Sequence, residues 1–138
     1  MRYLGLDLGS KTLGVAISES GIVASSYTII RHNEEYDRLI EEVEKIVIER
    51  HIDEIILGLP KNMNNSIGPK GELSYKFKDM LENKLNKKVV LVDERLTTKQ
   101  ATDILISNDT SRKKRKKVID SMAATIILQS YLDKKERL

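Results

Sequence analysis

The sequence predicts a mixed α/β fold, a five-stranded sheet covered by helices, on three observations. Short apolar runs of strand character recur at residues 2–7, 13–18, 22–30, 54–59 and 88–92. The first three are separated by short glycine-bearing turns, which suggests an antiparallel meander. Beyond them strand patterns alternate with helical ones, which calls for crossover connections and parallel strands.

Each element has its own warrant. Residues 34–50 carry apolar side chains at Tyr36, Leu39, Ile40, Val43, Ile46 and Val47, an amphipathic helical spacing. The run Glu-Ile-Ile-Leu-Gly-Leu at 54–59 reads as a short buried strand closed by Pro60. A polar loop follows over 61–71, long enough to move over a substrate. Leu73, Phe77, Met80, Leu81 and Leu85 mark a second helix. Residues 88–92 form another buried strand, ending in Asp93-Glu94-Arg95. Thr97 with Gln100 three residues on is a capping-box signature, and Ala101, Ile104 and Leu105 continue a third helix. The basic run 112–117 fills a loop, and a last helix spans about 118–132.

Composition narrows the function classes. A chain of 138 residues is one domain, 1–138, by the length prior. With 40% apolar and 33% charged residues, it reads as an ordinary soluble protein. Cysteine is absent, which excludes disulfides, a thiolate nucleophile and a cysteine zinc site. No signal peptide or membrane span is expected, so the predicted setting is cytoplasmic. The net charge is only +3, yet Arg112, Lys113, Lys114, Arg115, Lys116 and Lys117 are contiguous. Charge runs are usually solvated loops. In a nearly neutral chain, this one points instead to a polyanion held through its backbone.

The chemistry-bearing residues gather at one predicted rim. Asp7 interrupts an apolar strand, and a buried carboxylate is costly unless it is paired. A strand-end Asp bonded to turn amides is the ordinary explanation; a metal ligand or general base is the functional one. If the first, fourth and fifth strands are parallel neighbours, Asp7, Gly58-Leu59-Pro60 and Asp93-Glu94 share the carboxyl rim where open sheets bind ligands. Asp120 begins the helical series Ala123, Ala124, Ile127, Tyr131, and small Ala123 and Ala124 let that turn approach the sheet. An acid in a first turn also suits the helix dipole without any site. Clustered carboxylates need cations, and oxygen donors favour Mg²⁺ or Mn²⁺. Such ions beside a cationic segment would suit phosphodiester cleavage. Lys11, Lys61 and Arg95 lie near the rim as candidate phosphate contacts, whereas His32 and His51 read as surface or capping residues.

The stretches DLGSKTLGVAIS, GLPKNM, VDERLTT and IDSMAATIIL, in this order, resemble the YqgF family over nearly the whole chain. That family is RNase H-like and similar to the RuvC Holliday-junction resolvases. It is described as a Holliday-junction resolvase and, in bacteria, as a nuclease maturing the 5′ end of 16S rRNA. The resemblance implies a three-layer α/β/α domain with helices on both faces of a mixed five-stranded sheet. It implies divalent-metal nuclease chemistry and a cytoplasmic setting. The expected partner is a nucleic acid (rRNA precursor or branched DNA), with no membrane partner, and the expected state is a monomer or weak homodimer. Asp7 matches the first-strand acid and Asp120 an acid on the last helix. The resolvases carry a further acid one turn earlier, where this chain has Lys117, and a Glu ending the fourth strand, where it has Gly58-Leu59-Pro60. Asp93 or Glu94 would have to substitute. Glu94 is favoured because it reaches further and adjacent strand residues face opposite sides. The expected catalytic and metal-holding set is Asp7, Glu94 and Asp120. Two other classes stay open: a nucleic-acid-binding factor without catalysis, and an ATP-binding domain of the actin or sugar-kinase kind, which needs a longer chain.

Overall fold

The computed structural model describes residues 1–62, 64–94 and 112–136, with 112–121 and 136 as backbone only. The order is β1 (Tyr3–Leu8), β2 (Thr12–Ser18), β3 (Ser25–Arg31), α1 (Tyr36–Glu49), β4 (Glu54–Leu59), α2 (Pro69–Leu85), β5 (Lys88–Asp93) and α3 (Arg112–Glu136). The sheet order is β3-β2-β1-β4-β5. β1 pairs antiparallel with β2 and parallel with β4, and β4 pairs parallel with β5. The three parallel strands are therefore neighbours, and their carboxyl ends form one rim.

Strand alternation sorts the core into two layers. Leu4, Leu6, Ile55, Leu57 and Val89 pack against Leu39, Val43 and Val47 of α1 and Phe77 and Leu81 of α2. On the other face, Tyr3, Ala16 and Ile56 meet Ala124, Ile127, Leu128 and Leu132 of α3, with Val90 and Val92 packed alongside. Polar bonds fix α3 at its far end. Gln129 Oε1 accepts from Ala24 N at 2.8 Å, and Gln129 Nε2 donates to Ile22 O at 2.9 Å. Tyr131 donates its hydroxyl to Glu54 Oε1 at 2.9 Å, which partners a carboxylate only 6% exposed.

α3 runs antiparallel to β1 and very close to it. Tyr131 and Lys135 touch Tyr3. Ala124 and Leu128 cover Gly5, where an added Cβ would lie 2.8 Å from Leu128 Cβ and 3.0 Å from Ala124 O. Gly5→Ala is therefore expected to destabilise the fold by about 1–3 kcal/mol, the usual cost of overpacking. A urea titration checks this, and an unchanged midpoint would contradict the contact.

Several boundaries differ from expectation. β3 begins at Ser25 because Ser20 Oγ accepts from Ile22 N and Val23 N, at 3.1 and 3.2 Å, and holds those residues in the turn. The loop after β4 ends at Gly68, since Pro69 opens α2, a position where its missing N–H costs nothing. That loop is not slack: Asn62 N donates to Ser66 O at 2.9 Å and Ser66 Oγ to Asn64 Oδ1 at 2.6 Å. The larger correction concerns the basic run. Residues 112–117 form the first turns of α3 rather than a loop. Lys and Arg are good helix formers. Their unfavourable placement at the positive end of the dipole costs only about 0.3–1 kcal/mol each. A helix anchored by its packed C-terminal half can absorb that. The expected helix over 97–105, and Arg95, lie outside the described residues.

Candidate functional site

The rim of the three parallel strands brings two carboxyls together on the α3 face. Asp7 follows Tyr3 and Gly5 on that face of β1, while Leu4 and Leu6 point the other way. On β5, Val90 and Val92 face α3, and Glu94, next in that alternation, reaches back over the end of β4. Its carboxyl is hydrogen-bonded to Asp7. Two carboxyls can share such a bond only through a proton, so Glu94 donates. Burial, the bond to Asp7 and the charges of Asp7 and Asp93 push its pKa up to about 9; Lys70 draws it back.

Gly58 lies beneath this reach. An added Cβ there would overlap Glu94 Oε1, lie 2.8 Å from Glu94 Cδ and 2.6 Å from Ile127 Cδ1. The Glu94 carboxyl thus fills the space above the end of β4, between its own strand and Asp7.

The turn after Asp7 is held from below. Gly9 N donates to Thr12 O at 2.8 Å, and His32 N to Lys11 O at 2.9 Å. His32 Nδ1 accepts from Glu34 N at 3.1 Å, so Nε2 carries the proton and donates to Gly9 O at 2.9 Å. His32 is therefore more than a capping residue: it clamps the backbone two residues beyond Asp7. Its role was hidden because the bond spans from the end of β3 to the first turn. Lys70 was also missed. It follows Pro69 in the first turn of α2 as an exposed cation whose charge reaches Glu94, a proximity created by the β4–α2 connection.

The remaining expected site residues are distributed as follows. Lys11 is exposed in the turn after Asp7, and Lys61 is half-buried just past β4. Asp120 lies on the backbone of α3 one turn before Ala124, which covers Gly5. That turn carries the chain about 6 Å along the helix, while Asp7 lies about 7 Å beyond Gly5 in the same direction along β1. Arg112 to Lys117 extend the same helix further that way. Among the described residues no group of three or more His, Cys, Asp or Glu side chains converges as a metal site. The donors that do meet are a half-buried pair of hard oxygen ligands that cannot both ionise without a compensating charge. That set fits Mg²⁺ or Mn²⁺.

A mixed sheet in the order β3-β2-β1-β4-β5, covered on both faces, defines an RNase H-like domain. The RuvC of Thermus thermophilus, solved with a Holliday-junction substrate, superimposes with a TM-score of 0.63 over 99% of this chain and 96% of that one, at 12% identity. The family model described as "RuvX: Holliday junction resolvase" matches residues 1–134, and the chain belongs to that family. A Bacillus subtilis protein named "Putative pre-16S rRNA nuclease" is 54% identical over 135 residues, 96% of this chain and 98% of that protein. A protein of the same name from Bacillus pumilus is 55% identical over the same shares.

Proposed function

We propose that this chain is a divalent-metal-dependent endonuclease acting on structured RNA, and that its substrate is the 5′ end of the 16S rRNA precursor. The observation that carries the chemistry is the Asp7–Glu94 carboxyl pair on the rim of the parallel strands. The choice of RNA is supported by the Bacillus relatives, similar over almost their whole length. Asp7, Glu94 and Asp120 would hold Mg²⁺ or Mn²⁺, which when bound supplies Lewis acidity and an acidified water for phosphodiester hydrolysis. Asp7 is fixed by its central strand, and His32 holds the turn beyond it. Glu94 is brought to it from β5. Lys11, Lys61 and Lys70 would hold phosphates around the rim, Arg95 is a further candidate from the sequence, and Arg112 to Lys117 would grip the backbone further out. No helix among the described residues is long and apolar enough to cross a membrane. A cytoplasmic monomer or weak homodimer suits such a substrate.

The family description favours one second reading, cleavage of four-way DNA junctions. Purified protein with Mg²⁺, Mn²⁺ or EDTA, on a 16S precursor and on a synthetic junction, separates the two. Metal-dependent cleavage near the mature 5′ end is expected. Junction cleavage alone would favour the second reading. Binding without cleavage of either would leave a non-catalytic factor.

The basic run gives an independent check. Replacing Lys113, Lys114, Arg115 and Lys116 by Ala keeps helix-forming residues and removes four charges. Binding should weaken across sequences, and each lost phosphate contact should flatten the log–log salt slope by about 0.7 on single strands or about 0.9 on duplex DNA. Equal slopes for both proteins would show that the polyanion is held elsewhere.

A further inference from the structure

We infer that Gly58 is a positioning residue of the acid pair: its missing side chain leaves the space from which the Glu94 carboxyl meets Asp7. The inference deepens the proposed function and rests on the assignment of Asp7 and Glu94 as cation ligands. Three observations carry it. β4 lies between β1 and β5, so any side chain at 58 on the α3 face stands between the two acids. A Cβ there would overlap Glu94 Oε1 and lie 2.8 Å from Glu94 Cδ. The backbone does not ask for glycine, because residue 58 is ordinary strand paired in register with Val92, without the positive φ that Gly21 shows. Glycine in a strand interior weakens it and commonly marks a close approach. Here what approaches is a carboxyl. Ile56, the preceding residue on that face, is fully buried against α3, so bulk is accommodated there one step earlier.

A second neighbour competes for the explanation. Ile127 Cδ1 would lie 2.6 Å from the same Cβ, so glycine could serve helix packing alone. Ile127→Val deletes that one atom and separates the two. The geometry also has a stronger consequence. Since a Cβ at 58 falls among the atoms of the Glu94 carboxyl, an acid rooted at 58 can place its carboxyl in the same region without Glu94.

The test is Mn²⁺ binding, read from the free-ion electron paramagnetic resonance signal, with thermal unfolding of each variant to show that it is folded. Ile127→Val alone should bind as the unsubstituted protein does. Gly58→Ala with Ile127→Val should weaken Mn²⁺ binding by about tenfold or more, the scale seen when support of a metal ligand is lost. Glu94→Ala should weaken it at least as much. Gly58→Glu with Glu94→Ala should recover most of that loss. Undiminished binding by Gly58→Ala/Ile127→Val would overturn the positioning role, and this arm decides the matter if the Gly58→Glu variant does not fold. A folded Gly58→Glu/Glu94→Ala protein that binds no better than Glu94→Ala would equally overturn it. Undiminished binding by Glu94→Ala itself would instead remove the cation-site assignment beneath it.

Discussion

Asp7→Asn is expected to abolish divalent-dependent cleavage while leaving the fold intact. The substitution keeps the size and hydrogen-bonding capacity of the side chain and removes the charge that a cation needs. Asp7 is half-buried on β1, beside a second carboxyl and two residues before a turn held by Gly9, Thr12 and His32. Its loss should exceed the roughly 10–100-fold decrease that follows loss of an outer-shell partner. Cleavage of the 16S precursor over a Mg²⁺ series, with circular dichroism and thermal unfolding as controls, measures this. A folded Asp7→Asn protein that still cleaves would remove Asp7 from the chemistry.

Glu94→Gln should move activity and stability in opposite directions. Activity should be lost because the proposed cation site loses one of its acids. The stability effect follows from proton linkage. In the folded protein the Glu94 pKa stands near 9, first through burial and then through Asp7, against an ordinary value of 4.5. Between those values the folded state binds more proton than the unfolded chain, so stability falls as pH rises. It is fullest below about pH 4.5 and declines from there toward about pH 9. By pH 7 the loss is about 3 kcal/mol from this group. Glu94→Gln carries no titrating carboxyl and should lose that slope, becoming more stable than the unsubstituted protein near pH 8. Denaturant midpoints over pH 4–9 for both proteins test it. Parallel curves would show that Glu94 does not hold its proton against Asp7. Asp93→Asn, one residue earlier and facing the other way, should retain the slope and most of the activity.

Much of this architecture was legible in the residues because it rests on local periodicity. The strands around Asp7, Ile56 and Val90 are apolar runs too short for helices, and α1 repeats apolar side chains at helical spacing. Asp7 stood out as a polar residue within such a run. Longer reach and the opposite facing of adjacent strand residues favoured Glu94 over Asp93, and it is the Glu94 carboxyl that is hydrogen-bonded to Asp7. What stayed hidden depends on contacts distant in sequence. Gly58 stands in the sequence only as a rim position that lacks an acid; that the Glu94 carboxyl lies over it appears only in the structure. His32 reads as a surface or capping residue until its ring is seen bonded to Gly9 O. Lys70 gains meaning only when the N-terminus of α2 comes near Glu94. Glu54 lies in a run that reads as a buried strand, but its partner, the Tyr131 hydroxyl, comes from the last helix and is not visible in the run itself. The basic run was misread for a related reason. It has no apolar periodicity, and its helical state is set by the anchored turns that follow it.

The central claim is that the Asp7–Glu94 carboxyl pair is a divalent-cation site whose proton a metal ion displaces. Isothermal calorimetry of Mn²⁺ binding at pH 7 in two buffers of different ionisation enthalpy tests it most directly, with a non-hydrolysable RNA oligonucleotide present. Metal ligands must shed their protons to bind. Binding should therefore release close to one proton in the unsubstituted protein and almost none in Glu94→Gln. Absence of Mn²⁺ binding, or binding with no proton release in either protein, would contradict the account.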